Sequence, residues 1–237
     1  MKYWDKAWSL ISGCTPVSPA CDNCWLRAMN DRFKKGDFTN IQICEDRLNI
    51  PLKTKKPTVF AVWSDLFHES VPADFITLAF EVMESCPQHT FLVCTKRPER
   101  IESVLYGQEG TFYLGGGDYI PNVYLGATVE NQEMADKRIP ELLKCRPFKL
   151  FLSVEPMLER IDLGRWLPYG KVQTVYQAII AGCESGHHAR TTDEDWLIDL
   201  REQCIEAGVP LWVKQLKING KMCYDLKIST IQKGELW

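Results

Sequence analysis

Thr58-Val59-Phe60-Ala61-Val62-Trp63-Ser64-Asp65 is an apolar run that stops abruptly at a hydroxyl and a carboxyl group. It is short, β-branched and aromatic, and nothing in it alternates with polar residues, which predicts a strand buried on both faces. After Pro72, Phe75 to Met83 carries apolar residues at helical spacing. The unit then recurs. Phe91-Leu92-Val93-Cys94 ends in Thr95-Lys96-Arg97, with a short helix expected from Pro98. Val123 to Ala127 ends in Thr128-Val129-Glu130-Asn131 before a charged helix to about Lys144. Leu150-Phe151-Leu152 ends in Ser153-Val154-Glu155, and Val175 to Ala181 in Gly182-Cys183-Glu184-Ser185. A helix from about Asp193 to Ala207 follows, with Thr192 or Asp193 to cap it and Gly208 to stop it, and Leu211-Trp212-Val213 ends in Lys214-Gln215.

Regular alternation of this kind predicts an α/β fold with a parallel sheet. Polar and charged residues follow every apolar run, and in parallel α/β barrels the carboxyl ends of the strands are where sites are assembled. Ordinary turns favour Gly, Asn and Asp over the Lys, Glu and Arg found here. The strand ends are therefore read as one shared site.

The first strand, expected from Ala7 to Ser12, runs into Gly13 and then Cys14-Thr15-Pro16-Val17-Ser18-Pro19-Ala20-Cys21-Asp22-Asn23-Cys24, a C-x6-C-x2-C loop. Its prolines exclude a helix, whereas Leu26, Met29 and Phe33 beyond Cys24 recur at helical spacing. A structural zinc site uses four ligands, while three thiolates leave a coordination position open for chemistry. An iron-sulfur cluster on Cys14, Cys21 and Cys24 is the leading reading. Zinc completed by Cys44 or His68, and three merely buried cysteines, are the alternatives; a second close pair of zinc ligands is missing from the sequence, and His187-His188 are adjacent.

A chain of 237 residues with 45% hydrophobic and 25% charged residues suits a single globular domain spanning 1–237, with a polar C-terminal extension from about 218 that packs across the sheet or extends its edge. No apolar run is long enough to span a bilayer and Met1-Lys2-Tyr3-Trp4-Asp5-Lys6 has no signal-peptide core, so the expected location is cytoplasmic, away from membranes. In a reducing compartment the ten cysteines read as metal ligands plus small buried hydrophobes rather than as disulfides. Cys44, Cys86, Cys94, Cys145, Cys204 and Cys223 are too scattered for an auxiliary cluster. A net charge of −3 gives no global attraction to nucleic acid, but basic clusters at Lys53 to Lys56, Lys96 to Arg100, and Lys137-Arg138 with Lys144, Arg146 and Lys149 allow a local one. Tyr106 to Pro121, with Gly115-Gly116-Gly117-Asp118, reads as a mobile loop.

A first strand, a three-cysteine loop, a helix and then repeated βα units resemble the radical S-adenosylmethionine enzymes, whose usual spacing is C-x3-C-x2-C. The longer loop is similar to a phage- and prophage-associated three-cysteine-motif branch of that family. Further matching stretches are Ser64-Asp65-Leu66-Phe67-His68, Thr95-Lys96-Arg97-Pro98-Glu99-Arg100, Thr128-Val129-Glu130-Asn131-Gln132, Leu152-Ser153-Val154-Glu155-Pro156, Gly182-Cys183-Glu184-Ser185-Gly186 and Val213-Lys214-Gln215. The chain departs from that pattern at Cys183, where glycine is common, and at Trp25, where tyrosine is common.

The resemblance implies a partial (β/α) barrel of about six to seven parallel strands. It also implies a [4Fe-4S] cluster on the three thiols, with S-adenosyl-L-methionine chelated to the fourth iron and cleaved to a 5'-deoxyadenosyl radical that takes hydrogen from substrate. A reductant such as flavodoxin or ferredoxin would be a partner. The phage association suggests isomerase- or lyase-type rearrangement of a base in DNA, such as a hypermodified thymine. Ser64, Asp65, Thr95, Lys96, Glu130, Ser153 and Glu155 are the candidate cofactor-binding residues, with Arg97 a further cation. Glu184, Cys183, Lys214 and His68 are the candidate catalytic residues, Glu184 and His68 for proton movement and Cys183 as a hydrogen-atom donor. The rival from another class is a zinc-stabilised nucleic-acid-binding module without catalysis.

Overall fold

A computed structural model describes residues 2–106, 120–145, 148–167, 175–186, 188–224, 226–232 and 235–237. The glycine-rich stretch expected to be a mobile loop lies largely outside them, as do Arg146 and His187. In chain order the elements are β1 (Lys6–Trp8), β2 (Ile11–Ser12), α1 (Trp25–Arg32), β3 (Gln42–Ile43), α2 (Ile50–Lys53), β4 (Val59–Val62), α3 (Ala73–Glu84), β5 (Thr90–Thr95) and α4 (Glu99–Leu105). They continue with β6 (Val123–Thr128), α5 (Gln132–Leu143), β7 (Lys149–Val154), β8 (Tyr176–Gly182), α6 (Glu194–Ala207), β9 (Leu211–Ile218) and β10 (Lys221–Cys223).

The chain is a mixed α/β protein built on one eight-stranded sheet of order β1-β4-β5-β6-β7-β8-β9-β10. The first seven strands of that order pair in parallel and in chain order, so their carboxyl ends all emerge on one side; β10 is antiparallel to β9. The sequence expectation of one strand from Ala7 to Ser12 is corrected. The chain leaves the sheet after Trp8, and Ile11–Ser12 pairs instead with Gln42–Ile43 in a separate two-stranded sheet, where Cys44 N donates to Leu10 O at 2.8 Å.

Both faces of the sheet are apolar, for different reasons. On one face Phe60, Val62, Phe91, Val93, Val123, Leu125, Leu150 and Leu152 pack with the buried sides of α3, α4, α5 and α6. In α3 the buried positions Phe75, Ile76, Ala79, Phe80 and Met83 fall on a single helical stripe. Asp193 caps α6 by accepting from Asp195 N at 3.0 Å, and Gly208 ends it at φ +67°, as the sequence predicts. On the other face Leu92, Tyr124, Phe151, Ala178, Ile180 and Trp212 form a second cluster, closed by Leu236 and flanked by Tyr3, Trp4 and Trp237. The polar tail extends the sheet through β10, and Leu236–Trp237 pack on this second, inner face.

Tyr3 lies just before β1, yet its ring meets Trp212 of β9 edge-on at 5.8 Å, and Trp237 Nε1 donates to Tyr3 O at 2.9 Å. The inner face is thus spanned from the first parallel strand to the seventh. Gly126 makes room on that face, because a Cβ there would stand 2.4 Å from the Phe151 ring. No helix among the described residues is long and apolar enough to cross a membrane.

Candidate active site

A cavity of about 480 Å³ opens above the inner-face cluster, within the usual range for small-molecule sites. The carboxyl ends of β4, β5, β6, β7 and β8 contribute Ser64 and Asp65, Thr95 and Lys96, Thr128, Ser153 and Glu155, and Cys183 and Glu184, whereas Lys214, expected at a strand end, lies within β9, which continues to Ile218. Cys14, Cys21 and Cys24 border the same cavity, with Arg97 between the first thiol and the strand ends. Of the residues singled out in the sequence, only His68 and Glu130 do not line it.

The thiol loop is hung over the strand ends by side chains. Gly13 enters it at φ +91°, where an added Cβ would meet Asn40 O at 2.6 Å, and Cys14 N donates to Phe38 O at 2.9 Å. Ser64 adopts a left-handed backbone at φ +66° and donates its Oγ proton to Gly13 O. For a non-glycine residue that conformation costs about 1–3 kcal/mol, which the surrounding contacts must hold.

Asp65 is a buried hub. It accepts from Thr95 Oγ1 at 2.5 Å, Lys96 N at 3.2 Å, Phe67 N at 3.2 Å and Arg97 Nη1 at 2.9 Å. Arg97 spends its remaining donors on Glu69, at 2.8 Å, and on the Thr15 carbonyl and hydroxyl at 3.1 and 2.8 Å. Burial alone would lower the Arg97 pKa, but Asp65, Cys14 and Glu69 hold it above its ordinary value. Burial pushes the Cys14 thiol up and Asp65 adds to this, against the pull of Arg97, whose Nη1 lies 3.9 Å from the sulfur.

His68 is buried behind this network, its Nε2 2.8 Å from Thr15 Oγ1 and its Nδ1 accepting from Ser70 N at 3.1 Å. Burial and Arg97 lower its pKa, so it is a neutral brace for Thr15. Glu130 is fully buried, paired with Arg138 at 2.8 Å, and accepts from Ala20 N at 3.4 Å. It holds the loop from below.

Glu184 anchors the far side. Asn23 Nδ2 donates to it at 2.9 Å and also to His188 O at 2.9 Å. Arg190 pairs with Glu184 through its side chain, donates its backbone N–H to the same carboxylate at 2.7 Å, and reaches Pro19 O at 2.7 Å and Asp22 at 3.3 Å. Burial would raise the Glu184 pKa, but these donors outweigh it and hold the group ionised below the ordinary carboxylate range. A carboxylate so engaged is an anchor rather than a free proton carrier. Glu155 and Lys214 form a half-buried ion pair at the cavity. Cys183 is buried with its sulfur 3.7 Å from Met222 Sδ, and burial pushes its pKa up, keeping the thiol protonated.

A family model fits residues 1–234 of the chain. The chain belongs to the family described as Protein of unknown function (DUF5131). No curated protein and no solved structure matches it.

The fit covers nearly the whole chain, so the thiol loop and all the strand ends above fall within the family's shared region. Several groups in this site escaped the sequence reading. Arg190 and Asn23 tie the loop down, although Asn23 could have been noticed from its place between the second and third thiols. Trp4, Trp63 and Trp25 form an aromatic wall, with Trp63 meeting Trp4 edge-on at 5.4 Å and Trp25 at 4.8 Å. Trp63 ends the quoted apolar run next to Ser64, which is the signal that would have found it.

All ten cysteines are free thiols. Among the described residues no three His, Cys, Asp or Glu side chains are gathered as a ready metal-binding group. By donor chemistry, three free thiols on one loop facing one cavity suit an iron-sulfur cluster, which needs thiolates and tolerates an open position.

Proposed function

We propose that this chain is a radical S-adenosylmethionine enzyme whose seven parallel strands form a partial (β/α) barrel. One observation carries the reading: three free thiols of a single loop border the cavity that also receives the polar ends of five parallel strands. Cys14, Cys21 and Cys24 would hold a [4Fe-4S] cluster, leaving one iron for S-adenosylmethionine. When bound, the pair supplies one-electron reductive cleavage of a sulfonium, and with it a carbon radical for hydrogen abstraction.

The chain's own residues supply orientation and exclusion. Glu155 and Lys214 would offer both charges to the amino and carboxylate groups of the cofactor, and Ser153, which lines the same cavity, a hydrogen bond. Phe151 and Trp212 on the inner face and Trp4, Trp25 and Trp63 at the wall keep water and stray hydrogen donors away. Cys183 presents a protonated thiol at the cavity, a hydrogen source for a product radical. Rearrangement of a modified base in DNA by an isomerase-type step is the substrate class that the family resemblance favours.

The test is anaerobic purification with iron and sulfide analysis, then addition of dithionite and S-adenosylmethionine with detection of 5'-deoxyadenosine. About four irons per chain and cofactor cleavage, both lost in Cys14→Ala, are expected. Stoichiometric zinc without cleavage overturns the reading in favour of a zinc-stabilised module.

A further inference from the structure

Behind the thiol loop lies a second cavity of about 520 Å³. It shares Val17, Lys96 and Arg97 with the first, so the two adjoin. Its wall carries five cations, Lys96, Arg97, Arg100, Lys137 and Arg138, against two carboxylates, Glu69 and Glu99. That imbalance is local, because the whole chain has net charge −3.

The partners divide the cations into two kinds. Arg97 is neutralised by Asp65 and Glu69, Arg138 by Glu130, and Arg100 is engaged by the His68 and Val71 carbonyls. These guanidinium groups belong to the frame. Lys96 and Lys137 make no ion pair among the described residues, although Lys96 is half-buried where the two cavities meet. Two lysines that line one cavity without a carboxylate partner among the described residues repel each other, and an anion bound there relieves the repulsion. Lysine serves as a compact point charge for phosphate, and the volume has room for more than one phosphate group.

We infer that the second cavity is a phosphate subsite: a phosphate ester of the substrate sits between Lys96 and Lys137 while its reacting carbon enters the first cavity. The inference rests on the proposed function for the first cavity but is tested separately from it. The phosphate source is either a small ester or the backbone of a polynucleotide, which share this chemistry.

The full chain, purified anaerobically, is titrated calorimetrically at low salt with inorganic phosphate, pyrophosphate, glycerol phosphate and a short single-stranded oligonucleotide, with chloride at matched ionic strength as control. Saturable one-to-one binding of the phosphate probes is expected, weakened about tenfold in Lys137→Glu, since an attraction becomes a repulsion, and restored in Lys137→Arg. Lys96→Gln weakens the same binding. Glycerol phosphate as the tighter ligand supports a small ester, and the oligonucleotide as the tighter ligand supports a polymer. Absence of saturable binding, equal binding in Lys137→Glu, or equal competition by chloride overturns the subsite. Because no reductant or cofactor is added, absence of phosphate binding by the unsubstituted chain alongside intact cofactor cleavage refutes the subsite alone, and phosphate binding without cofactor cleavage refutes the radical reading alone.

Discussion

Arg190 and Glu184, six residues apart on the loop after β8, form an ion pair that also grips the thiol loop at Pro19 O and Asp22. Glu184 is 5% exposed, so removing its partner leaves a buried carboxylate short of donors. Arg190→Ala is expected to cost about 1–3 kcal/mol in urea denaturation. It is also expected to lower iron content after reconstitution, because the segment carrying Cys21 and Cys24 loses its tether. Arg190→Lys, which keeps the charge but not the fork, should fall between the two.

The Asp65–Arg97 pair is buried on both sides, with side chains 8% and 6% exposed. Asp65→Asn keeps the shape but places an amide against four donors. A loss of about 3–5 kcal/mol is expected, as for other broken buried pairs. Asp65→Asn with Arg97→Met, removing both charges, should recover part of it; a cycle showing no coupling would contradict the network.

Two of the shifted groups in the support of the loop, His68 and Glu184, point the same way with pH. His68 has a folded pKa below its ordinary value of 6.5, so the unfolded chain takes up the proton first. Its contribution is present above that value and lost as pH falls through the lowered one. Glu184, also lowered, adds a further loss at more acidic pH. Thermal denaturation should therefore show stability falling from about pH 6.5 downward, and His68→Gln should flatten the first part of that fall while leaving the second.

Gly126→Ala would set a methyl group against the Phe151 ring on the inner face. The ring must move, and overpacking of this kind costs about 1–3 kcal/mol. Adding Phe151→Leu should relieve the strain, so the double variant is expected to be more stable than Gly126→Ala alone.

The alternation of apolar runs and amphipathic segments made the parallel sheet legible, because burial on both faces leaves an uninterrupted apolar signature in the sequence. The polar residues at the ends of β4, β5, β6, β7 and β8 were legible for the same reason, each interrupting such a run at the cavity, whereas Lys214 read as a strand end although β9 continues past it to Ile218. The break between Trp8 and Ile11 was not, since both sides are apolar and only pairing with a partner strand separates them. Nor could Glu130 and His68 be told from true lining groups. Each follows a strand, but Arg138 and Thr15 turn them into supports, and those pairings exist only once the chain has folded. Arg190 shows the reverse, an unremarkable residue in a loop that gains its role from a segment 171 positions away.

The sheet has two edges, β1 and β10, and among the described residues no strand pairing joins them. The opening above the cavity is nevertheless bridged, from Cys14 beside β4 and β5, past Ala20 on Glu130, to Asn23 and Arg190 beyond β8. The loop is fastened across the strand ends by side chains rather than by strand pairing. Such a fastening can be loosened one contact at a time while the strands stay paired.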